Sequence, residues 1–132
     1  MMYLKSTLIA AVLGTALSTP AIASPADVPR VTEGLISAAM VIRLGKRCDS
    51  VSVRRLRGLN FLHGLRQHLR DMGYTNQEID AYIDDEDEEE RLEDIAFQRL
   101  RDLGAIDDDG PSHCAVARSQ MAQGTLVGSF LR

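Results

Sequence analysis

No stretch of this 132-residue chain is apolar over the roughly 20 residues that a membrane-spanning helix needs. The longest candidate, Leu8 to Leu17 (LIAAVLGTAL), is about half that length and is interrupted by Thr15. A basic excess is also missing: 15 Lys and Arg stand against 19 Asp and Glu, a formal charge of −4, which argues against general nucleic-acid binding. Strand-like alternation and internal repeats are absent, which excludes sheet and solenoid architectures. No serine or cysteine nucleophile stands in a recognisable catalytic setting, and there is no nucleotide-binding motif. Cysteines number only two, Cys48 and Cys114.

What is present begins with a leader. Lys5 gives a positive start, Leu8 to Leu17 an apolar centre, and Pro20 an end, followed by the small-x-small site Ala21-Ile22-Ala23. This is the layout of a secretory signal peptide over residues 1–23, cleaved to leave Ser24 as the first mature residue. No cysteine near the cut invites a lipid anchor and no twin-arginine pair precedes the apolar run, so the general secretory route is expected. The remaining 109 residues make one domain, without membrane insertion after cleavage. In an oxidising compartment two cysteines far apart in sequence are most simply a disulfide. Closing a loop of that length restricts the unfolded chain by about 4 kcal/mol. The rival, a zinc site of both cysteines with His113, matches no recognised zinc spacing.

Residues 24–31, with Pro25 and Pro29, read as an extended lead-in to a helical domain over 32–132. A first helix is expected from Thr32 to about Arg47, apolar on more than one side and therefore heavily buried. A second should start near Ser50 or Ser52 and reach Met72, with Val53, Leu56, Leu59, Leu62, Leu65, Leu69 and Met72 as its core-facing stripe and Gly73 as its cap. Gly58 and Gly64 lower its propensity and leave room for another helix to approach. Thr75-Asn76-Gln77-Glu78 is a capping box. From Asn76 to Leu103 the apolar positions stay in phase across the acidic run Asp84 to Glu90. One long helix is the reading, and two, the second starting near Asp84 with its acids at an N-terminus, is the alternative. A turn over 105–111 precedes a last helix capped by Ser112, and Thr125 to Leu131 forms a terminal turn or short helix.

Charge is unevenly laid out. Eight basic residues between Arg43 and Arg70 face only Asp49, whereas sixteen acids between Asp71 and Asp109 face Arg91, Arg99 and Arg101. An antiparallel pairing of the second and third helices would neutralise this within the chain; otherwise the surface is bipolar and suits a partner of complementary charge. The turn Asp107-Asp108-Asp109-Gly110 fails as an EF-hand, because Ala105 and Val116 fall where acids are required. His63 and His68 lie five apart on different helix faces and read as surface or boundary residues rather than ligands. Weak divalent-cation binding by the acidic run is an alternative. No cofactor or metal site is otherwise expected, and no catalytic residue can be named.

Several segments together resemble a family of short exported alphaproteobacterial proteins of unknown function: the leader, Arg47-Cys48-Asp49-Ser50, Leu59-Asn60-Phe61-Leu62 with Gly64-Leu65, Gly73-Tyr74-Thr75 with Glu78-Ile79, Cys114-Ala115 and the Gly124 to Leu131 tail. The resemblance implies fold and compartment but no activity. The sequence thus predicts an all-α bundle of four to five helices stapled by a Cys48–Cys114 disulfide. The expected function is that of a non-enzymatic periplasmic interaction or structural protein with a protein partner, the alternative a periplasmic enzyme acting on envelope material.

Overall fold

Proline opens the first helix rather than delaying it. α1 (Pro29–Arg47) has Pro29 at its first position, where the missing N–H is an orphan donor anyway. The structure, a computed structural model, describes Gly14 and residues 23–132; the leader expected over 1–23 otherwise lies outside the described residues. The lead-in is not extended. Pro25–Asp27 forms a 3-10 turn in which the Ser24 hydroxyl accepts from the Ala26 N–H and the Asp27 carboxylate accepts from the Ser24 N–H. This turn buries Pro25, Val28 and Val31, the two valines beside Leu69, Tyr74, Ile79 and Tyr82.

The second helix starts later than the sequence predicts. α2 (Arg55–Asp71) begins at Arg55, after a turn at 49–50 and a stretch over 52–54 that pairs with the chain's tail. Ser52 and Arg132 exchange both backbone hydrogen bonds, Arg54 N–H donates to the Phe130 carbonyl, and Val53 faces Leu131 in an isolated bridge. Gly73, at φ 100°, then turns the chain. α3 (Asn76–Ile83) is launched by the expected box, with Glu78 N–H donating to the Thr75 hydroxyl at 3.2 Å and Thr75 N–H to the Glu78 carboxylate at 2.7 Å. The long-helix reading gives way to its alternative. α4 (Glu86–Asp102) is separate, capped by Asp85, and its first-turn acids Glu86 to Glu89 face the positive end of the helix dipole. α5 (Gly110–Gln123) is capped by Asp109, not Ser112, whose N–H donates to the Asp109 carboxylate from inside the first turn. Gly124 ends it at φ 63°, and α6 (Leu126–Ser129) follows from its cap Thr125.

The all-α class holds, with six helices among the described residues, since the third stretch divides and the tail closes a turn. α1 is the hub. It packs on α2, α4, α5, α6 and the lead-in turn, and its Ile36, Met40, Val41 and Leu44 meet Leu92, Ala96, Leu100, Val116 and Phe130 in the main core. Cys48 and Cys114 are bonded, with Cα atoms 5.0 Å apart, tying the end of α1 to the first turns of α5 across 66 positions of sequence. That bond consumes both sulfurs of the alternative zinc set. His113 is buried with Nδ1 2.7 Å from the Asp109 carbonyl.

Candidate functional site

A helix stripe is covered only if another element lies over it. The predicted stripe of α2 is covered at Leu65 and Leu69, buried against α1 and the lead-in, but not at its last position, Met72, which is exposed. Its N-terminal half is not covered either: Leu56 is 73% exposed and Leu59 65%. On the facing side of α1, Ile42 is 51% exposed. Sequence periodicity assigns Leu56 and Leu59 to the core, and the first helix is expected to be heavily buried.

The uncovered residues line a trough along α1 in three connected lobes that meet at Ile42. The central lobe, about 390 Å³, is floored by Ala38, Val41, Ile42, Gly58, Leu59 and Phe130. Toward the tail it opens into a lobe of about 1110 Å³ lined by Lys46, Arg54, Arg55, Arg57 and Arg132. Toward the α3–α4 junction a lobe of about 270 Å³ has Leu35, Ile83 and Phe97 in its walls, with Arg43 and Lys46 lining it alongside Glu89 and Glu93.

Four cations of the trough meet neutral partners rather than acidic side chains. Arg54 Nε donates to the Leu131 carbonyl at 3.2 Å, Arg132 Nε to the Ser52 hydroxyl at 3.2 Å, and Arg57 and Arg43 stack over Phe130 and Phe97 at 5.9 and 4.4 Å. The intramolecular neutralisation expected from an α2 seam is therefore confined to Arg66 with Asp80 on α3. The basic and acidic segments also meet elsewhere, Arg47 pairing with Asp108 and α1 setting Arg43 and Lys46 in one lobe with Glu89 and Glu93 of α4.

Elsewhere the acids have structural work. Asp107, Asp108 and Asp109 pair with Arg101, pair with Arg47 and cap α5 respectively, so the failed calcium frame is explained by three local partners. Glu33 is clamped by Arg99 at 2.6 and 2.9 Å, and that hydrogen-bonded guanidinium holds its carboxyl below the usual range. Glu88 is likewise lowered by Arg91, which it meets at 2.7 and 2.8 Å, and it also accepts from the Tyr82 hydroxyl at 3.2 Å. Burial first, and the Glu88 charge second, push the Tyr82 phenol up to about 12. His63 is exposed and His68 half-buried. Among the described residues no group of three His, Cys, Asp or Glu side chains is placed to hold a metal ion, and no helix is long and apolar enough to cross a membrane. Of the expected cleavage residues, Ala21 lies outside the described residues, while Ala23 and Ser24 are exposed.

The segments behind the sequence resemblance (the Cys48 corner, Gly73-Tyr74-Thr75 and the tail) prove to be the corner, turn and clamp of this fold. A family of unknown function (DUF5333) matches residues 24–132, all of the helical domain. The chain belongs to that family. No curated protein and no solved structure matches the chain. Membership in DUF5333 therefore brings no site residues with it, and the trough rests on this chain's own geometry.

The trough had a signal in the sequence. Leu56 and Leu59 stand inside the most basic stretch of the chain, Arg54-Arg55-Leu56-Arg57-Gly58-Leu59, where a core-facing stripe has no reason to be flanked by three arginines.

Proposed function

We propose that this chain is an exported, non-enzymatic binding protein of the alphaproteobacterial periplasm, and that its α1–α2 trough is the surface on which it holds a protein partner. The observation that carries this reading is the pair Leu56 and Leu59, left uncovered by their own fold beside Ile42. Contiguous exposed apolar surface rimmed by charge is a mark of an interaction site. Export is supported by the leader and its small-x-small site, by a family match that begins at residue 24, and by a disulfide of the kind that persists in oxidising compartments.

The test places a photo-crosslinking residue at Leu59 or, on the exposed side of α4, at Asp94 in cells making the full chain, and reads the mature N-terminus by mass spectrometry. A discrete crosslinked protein from position 59 but not 94, on a periplasmic chain beginning at Ser24, is expected. Equal labelling from both positions, or none from 59, removes the trough from consideration; an intact cytosolic chain beginning at Met1 removes the compartment.

A further inference from the structure

We propose that the tail-end lobe of the trough is an anion site whose ligand carries two or more phosphate groups. This goes beyond the reading of Leu56 and Leu59 as a protein-docking surface and does not depend on it. The lobe, about 1110 Å³, is lined by Arg54, Arg55, Arg57 and Arg132 and by no Asp or Glu side chain. Lys46 lines it too but is shared with the lobe that holds Glu89 and Glu93, so the four arginines carry the argument.

The chain does not lack acids to neutralise them. It has 19 Asp and Glu against 15 Lys and Arg, and Arg47, Arg66, Arg91, Arg99 and Arg101 each pair with a carboxylate. Among the described residues none of the four arginines of the lobe does so. The main-chain oxygen of Arg132 is turned to the Ser52 N–H, at 2.8 Å. Nor does the fold itself call for cations here. Arg55 and Arg57 stand in the first turn of α2 and Arg54 at its cap, where the positive end of the helix dipole disfavours like charge, and that turn contains no acid. A local rule broken without internal compensation is what a binding site looks like.

Geometry then selects the kind of anion. Arg54 Nε donates to the Leu131 carbonyl and Arg132 Nε to the Ser52 hydroxyl, each at 3.2 Å, while Arg57 lies over the Phe130 ring. These contacts hold the guanidiniums in place and leave the terminal nitrogens of Arg54 and Arg132 as donors, the fork that grips two oxygens of one anion. A single carboxylate fills one fork. A phosphate ester brings about two charges and three acceptor oxygens, so a pair of phosphates matches four arginines. An acidic peptide spreads single charges along its backbone, whereas these cations are crowded into 54–57 and the residue paired with Ser52. A second copy seated face to face would set the same arginines against themselves.

The test titrates pyrophosphate into the oxidised full chain at constant ionic strength and follows the backbone amides by NMR. Saturable shifts confined to residues 46, 52–58 and 130–132 are expected, with a Kd below about 1 mM, and orthophosphate should bind at least about tenfold more weakly. Arg55→Gln/Arg57→Gln should weaken pyrophosphate by at least about tenfold, whereas Arg118→Gln, exposed on α5, should leave it unchanged. The shift map needs no variant and decides the matter even if one unfolds. Vesicles identify the source of the phosphates. Sedimentation with phosphatidylglycerol but not phosphatidylcholine vesicles, reversed by pyrophosphate, marks membrane headgroups, and any other vesicle result marks a soluble ligand. The proposal is overturned by shifts that do not saturate or that spread to arginines outside the lobe, by equal affinity for orthophosphate, or by an equal loss in Arg118→Gln. Tighter binding of hexaglutamate than of pyrophosphate overturns it as well, in favour of an acidic protein segment. A crosslink from position 59 without pyrophosphate binding removes the anion site and leaves the docking surface standing.

Discussion

Tyr82 shows how a single side chain joins two elements. Its ring is buried between the lead-in cluster and α3, and its hydroxyl donates to Glu88 in the first turn of α4, where Arg91 holds the carboxylate from the other side. The phenol is the neutral form, and its folded value near 12 exceeds the ordinary 10.0. Its contribution to stability is therefore complete below pH 10 and disappears as pH rises from 10 toward 12. Phenolate absorbance should show Tyr82 titrating well after a free tyrosine, and Glu88→Gln should bring its midpoint down; a Tyr82 midpoint near 10 would contradict the contact. Glu33 and Glu88 behave in the opposite sense. Both are lowered, so what they contribute is present above pH 4.5 and fades as pH falls through their folded values.

At the scale of elements, chain punctuation was legible and long-range cover was not. Thr75-x-x-Glu78 announced α3, Gly73 sits in the positive-φ cap its position implied, and the two cysteines found each other. Local chemistry decides such features, so local sequence reports them. Ser50 and Ser52 look like caps of α2, but the residues that pair with 52–54 and set its later start lie near 130, far along the chain. Pro29 was read as part of an extended lead although it equally serves as a first helical residue. The closest approach between elements is also invisible locally: α6 lies on α5 through Gly128, where an added Cβ would come within 2.1 Å of the Gln120 carbonyl oxygen. Gly128→Ala should cost about 1–3 kcal/mol through forced displacement of the tail, measured by urea unfolding. A change within error would show that the tail moves aside freely.

For the whole molecule, one arrangement governs both stability and surface: α1 takes neighbours on most sides and leaves the strip around Ile42 open. Two leucines of one helix should consequently respond very differently to truncation. Leu65→Ala empties a packed site and should destabilise by about 2–5 kcal/mol, whereas Leu56→Ala should stay within about 0.5 kcal/mol. Matched losses in thermal or urea melts would mean that Leu56 is covered in solution. The strand-like clasp between Ser52 and Arg132 has a consequence for the order of events as well. Its two sides lie 80 positions apart in sequence, so the approach to α2 can take its native path only once the last residues of the domain are in place.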